Sequence, residues 1–210
     1  MSAHNTSADI VFTNLSGYRL YLGPVTAAQD DEYLRSIDCR HVVTVLRERV
    51  ALPRDVECYH VSINDCNDEH MTPYFAGAIE QIGTWLAMRN NVLVHCSSGI
   101  SRSTTVVLAF LMVQAGLSLM EAFQLVSRKR PIMQPGTTFF EDLQQLEMAS
   151  KGQVEASMSV AQYYAFTVQA MIRSNGRQAS FESCLDAVQQ FGWATDYALL
   201  QAIEKAQSAA

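Results

Sequence analysis

The stretch His95-Cys96-Ser97-Ser98-Gly99-Ile100-Ser101-Arg102-Ser103 sets a thiol and a guanidinium at the two ends of a seven-residue loop, with a glycine between them. The apolar run Val92-Leu93-Val94 leads in, and a helical stretch over 103–114 leads out. A strand that delivers a tight loop to a helix N-terminus makes an anion cradle: loop N–H groups turn inward and the helix dipole adds partial positive charge. Arg102 brings a planar, permanently charged fork for phosphate oxygens. A cysteine in such a field is favoured as the thiolate, the form that attacks. The chemistry indicated is nucleophilic attack by Cys96 on a bound phosphate monoester. A cysteine after a buried strand is by itself usually a small core residue, and a Ser/Gly loop before a helix is usually a cap. It is the combination of His95, Cys96, Gly99, Arg102 and Ser103 that phosphate capture requires.

Expelling an alkoxide or phenoxide from phosphorus needs a proton donor. Asp65 is the candidate, in the polar loop that follows the strand over 59–63, from which a carboxyl group can reach over a neighbouring pocket. The same group can then act as base on the hydrolytic water. Asp68 and Glu69 on the same loop compete for the role, and residue chemistry alone leaves the choice open. Cys66 beside Asp65 is a candidate to pair with Cys96 on oxidation, although a reduced bystander thiol is the commoner case.

These groups must be held by a framework. Leu20-Tyr21-Leu22, His41 to Leu46 and Tyr59 to Ile63 read as strands, the β-branched 41–46 run being the expected central one. Residues 30–37, 72–89, 103–114, 118–129 and 137–150 carry helical spacing, with Thr72 as the expected cap before Pro73. Alternating strands and helices predict an α/β fold with a mostly parallel sheet flanked by helices. In such folds ligands sit beyond the carboxyl ends of the strands, where both the Cys96 loop and the 64–70 loop emerge. Residues 151–210 read as helices only, over 160–173, 180–191 and 196–206, an all-helical C-terminal extension. The expected organisation is a polar N-terminal segment (1–15), a catalytic domain (16–150) and that extension (151–210). The extension is expected to pack on the catalytic domain, with a partner or dimer contact as the other role.

Composition bounds the rest. At 210 residues, 49% hydrophobic and 17% charged, the chain is globular with a sizeable core. A net charge of −6 offers no general basic face, so nucleic acid is not an expected partner. Five cysteines without paired spacing argue against a disulfide framework and for a reducing compartment, cytoplasmic or nuclear. Scattered histidines signal no metal site, and no cofactor is implied. Neither a signal-like N-terminus nor a run of membrane-spanning length occurs, so no membrane insertion is expected.

The loop and its flanks resemble the dual-specificity protein tyrosine phosphatases, specifically the small atypical members, over about residues 16–150. The family loop His-Cys-x-x-Gly-x-Ser-Arg-Ser is matched at every fixed position by His95–Ser103, and Leu20-Tyr21-Leu22-Gly23 matches its early Leu-Tyr-Leu-Gly. Its general acid lies about thirty residues before the cysteine, where Asp65 stands, followed by a phenylalanine-bearing helix, as with Phe75. The family's Arg-Pro-x-x-x-Pro-Asn-x-Gly-Phe appears as Arg130 to Phe139, with Gly136 and Thr138 in place of Asn and Gly. The resemblance implies a phosphotyrosine phosphatase-like fold and a two-step, metal-free reaction. In it Cys96 attacks, Arg102 clamps the phosphoryl oxygens, Asp65 protonates the leaving oxygen and Ser103 assists departure of the sulfur. His95 holds the loop backbone, and Ser97, Ser98, Gly99, Ile100 and Ser101 offer N–H groups to phosphate. It also implies phosphorylated protein substrates bearing phosphotyrosine or phosphoserine/phosphothreonine. The chain lacks the Trp-Pro-Asp loop of tyrosine-only enzymes. It also lacks the in-loop lysines that mark phosphoinositide phosphatases. The rival expectations are a catalytically weak phosphoprotein-binding scaffold and a phosphatase of a non-protein ester. Arg128-Lys129-Arg130 reads as a helix C-terminus complementing its dipole rather than as a docking patch. Phe191-Gly192-Trp193 is similar to the Met-Gly-Phe turn of ubiquitin-associated modules, over a short stretch only.

Overall fold

β-branched and apolar runs become the strands of one five-stranded sheet, ordered β1-β2-β5-β3-β4. The computed structural model describes residues 7–193 and 196–208. Its strands are β1 (Asp9–Thr13), β2 (Arg19–Gly23), β3 (Cys39–Val45), β4 (Glu57–Val61) and β5 (Asn91–His95). Strands β2, β5, β3 and β4 run parallel, and only β1 joins antiparallel, at the edge. The expected α/β sheet therefore forms, with two corrections. The middle place belongs to β5, not to the 41–46 run. In β3, Arg40 and His41 stay half-buried near the start, whereas Val92 to His95 of β5 are all buried. The segment read as a polar tail contributes β1, in which Val11 is buried between more exposed neighbours.

Six helices accompany this sheet among the described residues: α1 (Val25–Gln29), α2 (Asp31–Ser36), α3 (Thr72–Ala87), α4 (Arg102–Gln114), α5 (Leu119–Lys129) and α6 (Thr137–Lys151), the last packed on α4. Ser118 and Glu121 form a reciprocal capping box that starts α5. Thr72 is not the cap of α3. It is the first helical residue, and the N–H of Met71 ahead of it donates to Asp142 Oδ2 of α6 at 2.6 Å. Helix α4 is buried from Ser103 to Met112 with no polar face, as befits a helix in the middle of its layer. It therefore fixes its first turn, and Arg102 with it, against a rigid core. The four parallel strands end on one side, so the segments after Gly23, Val45, Val61 and His95 gather there.

The chain divides into two compact units, Met1–Ala156 and Ser157–Ala210. The second holds α7 (Val160–Ser174), α8 (Phe181–Phe191) and α9 (Asp196–Ser208). Ser159 and Ser180 cap the first two. Val168, Ile172, Cys184, Val188, Ala202 and Ala206 make a core of its own. Trp193 stacks on Tyr164 with ring centroids 5.7 Å apart. Among the described residues no helix is long and apolar enough to cross a membrane.

Candidate active site

The sheet's middle strand carries His95 to its end, and the chain then turns through 96–101 into α4. What shapes this loop is the fate of its carbonyls. That of Cys96 accepts from His95 Nδ1 at 3.1 Å, and that of Ser97 from the N–H of Val25 at 3.0 Å. Arg130 takes the next two, Nε donating to Gly99 O at 2.6 Å and a terminal nitrogen to Ser98 O at 2.8 Å. Ile100 O accepts from the N–H of Gln134 at 2.8 Å, and Ser101 O from both the N–H and the hydroxyl of Thr105 at 3.0 Å. Every carbonyl from Cys96 to Ser101 is thus tied outward. In a trans peptide the N–H points opposite the carbonyl, so the following N–H groups are turned the other way, into the cradle.

Gly99 is required here. Its φ is +67°, and a Cβ at this position would lie 2.5 Å from Gly23 O and 2.7 Å from the Arg130 guanidinium. Cys96 is almost wholly buried, and the Ser103 hydroxyl donates to its Sγ at 3.1 Å. His95 is fully buried, and burial pushes its imidazole down to about 4. A neutral ring donates from Nδ1 to Cys96 O and accepts at Nε2 from the Thr44 hydroxyl, 2.8 Å away.

Asp65, 37 residues from Arg102 in sequence, is brought against it: Oδ2 lies 3.3 Å from Nε, and Oδ1 accepts from the Ser101 hydroxyl at 2.6 Å. Arg102 Nε is buried and makes no aligned hydrogen bond in this arrangement. The fork is held close to a carboxylate with donor capacity to spare, as a phosphoryl group would need. Of the rivals, Asp68 is engaged with the Cys66 thiol and Glu69 accepts from Asn64 at 2.8 Å. The hydrogen bond to Asp68 pushes the exposed Cys66 thiol up, which makes it a poor thiolate source. All five cysteines are free.

The loop that carries Asp65 is anchored along its length. Ile63 O faces Arg102 at 3.4 Å, Asn67 O accepts from the Thr138 hydroxyl at 2.8 Å, and Asp142 Oδ1 bonds His70 Nδ1 at 2.9 Å. Gly136 N–H donates to the Ser101 hydroxyl oxygen at 3.1 Å. The two positions that depart from the resembled pattern, Gly136 and Thr138, are therefore bonded to Ser101 and to the Asp65 loop.

Sequence reasoning missed three residues. Arg130 was grouped with a helix end. Arg128 and Lys129 do lie in the last turn of α5, but Arg130 is 2% exposed and clasps the loop, with a third bond to Asp9 Oδ2 at 2.7 Å. Its partners lie at Ser98, Gly99 and, 121 residues away, at Asp9, and no local spacing marks them. Thr44 and Asp142 act across similar separations. Their one sequence signal is a polar residue placed among apolar ones, Thr44 in a strand and Asp142 on the buried face of α6.

A mostly parallel sheet whose middle strand feeds a cysteine-to-arginine loop into a buried helix is the architecture of the phosphotyrosine phosphatase-like proteins. Within that class, the dual specificity phosphatase catalytic-domain family matches residues 20–149, and the chain belongs to it. It is 39% identical over 129 residues to Dual specificity protein phosphatase 1 of Arabidopsis thaliana, 61% of this chain and 65% of that protein. With Dual specificity protein phosphatase MPK-4 of Drosophila melanogaster it shares 35% over 130 residues, 59% of this chain and 33% of the other. The match thus covers less than two thirds of these relatives' own lengths. The structure of human DUSP28 superimposes with a TM-score of 0.64 at 28% identity, over 69% of this chain and 98% of that one. A mouse putative dual specificity phosphatase complexed with zinc tungstate gives 0.64 at 27%, over 72% and 93%.

Proposed function

We propose that this chain is a dual-specificity protein phosphatase that hydrolyses phosphotyrosine and phosphoserine/phosphothreonine through a phosphocysteine intermediate. The observation that carries the reading is the meeting of Asp65, Cys96, Arg102 and Ser103 at one loop whose carbonyls all point away. In the first step Cys96 Sγ bonds to phosphorus and the P–O bond to the substrate breaks, the leaving oxygen taking a proton from Asp65. Arg102 and the loop N–H groups hold the non-bridging oxygens, where negative charge is concentrated. In the second step water attacks phosphorus, Asp65 accepts its proton, and the P–S bond breaks with Ser103 Oγ–H stabilising the departing thiolate. Ser101 orients the Asp65 carboxyl from Oδ1, and Thr138 steadies the loop that carries it.

The test is an aryl phosphate assay with EDTA present, comparing wild type, Cys96→Ser and Asp65→Asn across pH. Activity that survives chelation, vanishes in Cys96→Ser and loses its basic-side pH limb in Asp65→Asn is the expected result. A folded, reduced wild type without activity would instead leave a phosphate-binding scaffold, and metal-dependent turnover would refute the mechanism.

A further inference from the structure

A second cleft, of mixed polar and apolar lining, opens along the segment between β3 and β4. Its volume is about 270 Å³, and Thr44, Arg49, Arg54, Cys58 and His60 contribute its polar lining, with no carboxylate among the lining residues. Neither Arg49 nor Arg54 is paired with a carboxylate among the described residues. The acid next in sequence to Arg54, Asp55, is engaged with Arg40 at 3.3 Å, and Arg40 also takes Asp31 at 2.8 Å. In a chain of net charge −6, two arginines converging on one cavity without an acid form a local positive field. The start of the segment that carries them is tied down: His60 Nε2 lies 2.9 Å from Leu46 O, and Ser62 Oγ donates to Arg47 O at 3.0 Å. A pair of exposed guanidiniums lining one cleft suits a tetrahedral, multiply charged anion.

The floor of the cleft leads to the catalytic loop. Cys58 Sγ lies 3.4 Å from Thr44 Oγ1, and the Thr44 hydroxyl donates to His95 Nε2. His95 in turn holds Cys96 O. The two sites are therefore the two ends of one hydrogen-bonded chain, on opposite sides of His95.

We propose that the Arg49–Arg54 cleft is a second anion site, which binds a phosphoryl group separately from the Cys96 loop. The phosphoryl group comes either from a free phosphate compound or from a second phosphorylated side chain of a protein substrate. The proposal does not depend on the catalytic reading, because its first test removes the catalytic loop as a competitor.

Cys58 lies in the cleft and is exposed, so its alkylation by iodoacetamide reports occupancy, with the exposed Cys66 as internal control. In an Arg102→Ala background, inorganic phosphate is titrated while both thiols are followed by peptide mass. At tenfold over the half-protecting concentration, mass action slows Cys58 alkylation by about tenfold and leaves Cys66 unchanged. Protection is lost in Arg49→Gln/Arg54→Gln and retained in Arg49→Lys/Arg54→Lys, both read on proteins with unchanged melting temperature. The second arm uses Cys96→Ser with singly and doubly phosphorylated peptides. If substrate supplies the group, the doubly phosphorylated peptide binds about tenfold tighter, about 1.4 kcal/mol, and Arg49→Gln/Arg54→Gln erases the difference. If the source is a free phosphate compound, inorganic phosphate protects and the two peptides bind alike. No protection by phosphate together with equal peptide affinities overturns the proposal, as does protection that persists in Arg49→Gln/Arg54→Gln.

Discussion

Arg130 offers the sharpest perturbation, because a residue outside the signature loop holds the loop's shape. It is 2% exposed and makes three bonds, to Ser98 O, Gly99 O and Asp9 Oδ2, at 2.6–2.8 Å. Truncation to alanine orphans two loop carbonyls and leaves the part-exposed Asp9 carboxylate unpaired. Each lost bond to a charged group is worth about 1.5–3 kcal/mol, and breaking a buried pair typically costs about 3–5 kcal/mol. The net loss should be near the lower end, because water can reach Asp9. At about 2–4 °C per kcal/mol for a chain of this size, a loss of about 3 kcal/mol drops the melting temperature by about 6–12 °C. Freed carbonyls no longer set the direction of the N–H groups in the cradle, and a misplacement of about 1 Å there costs about a hundredfold in kcat/KM. The assay pairs thermal melts with aryl phosphate turnover at a temperature where every variant is folded. Arg130→Lys should behave much like alanine for activity, since one ammonium cannot span both carbonyls and Asp9. Asp9→Asn keeps the loop bonds and should retain near wild-type turnover while losing about 1 kcal/mol of stability. A folded Arg130→Ala with wild-type kcat/KM would refute the reasoning.

Three further outcomes follow from the same geometry. Ser103→Ala removes the donor 3.1 Å from Cys96 Sγ. It should lower kcat by about 10–100-fold with a burst of the first product, as expected for one bond to a developing thiolate; no burst would argue against the second-step role. Thr138→Val deletes the bond to Asn67 O and should lower kcat about threefold with KM unchanged, whereas a KM effect alone would mean that the loop serves binding only. Burial lowers the His95 imidazole from 6.5 to about 4, so the unfolded chain takes up the proton first and stability falls with pH below 6.5. By pH 5 the loss is about 2 kcal/mol, read from denaturant unfolding at pH 7 and pH 5. His95→Asn should remove that increment, and an unchanged pH slope in the variant would contradict it.

What could be read in the sequence was local or carried by a contiguous motif. The 95–103 loop is contiguous, and its cysteine, glycine and arginine explain themselves through spacing alone. The helices over 118–129 and 137–150 depend on residues three and four apart. What escaped depends on partners distant in the chain. Strand β1 is five residues long and exists because β2 supplies its ladder. The middle place of β5 is a property of the sheet, not of a β-branched run. Asp65 could be proposed from its loop, but what sets it apart from Asp68 and Glu69 is its meeting with Ser101 and Arg102, which no spacing reports. Thr138 departs from the resembled pattern and, in the fold, donates a hydrogen bond to the loop that carries Asp65.

The central claim is a covalent intermediate on Cys96. Ser103→Ala protein turning over a phosphorylated peptide, quenched in acid and read by intact mass and peptide mapping, tests it most directly. The account predicts one added phosphoryl group, mapped to Cys96, absent before substrate and absent in Cys96→Ser. A phosphoryl group on another residue, or unimpaired turnover by Cys96→Ser, would contradict it.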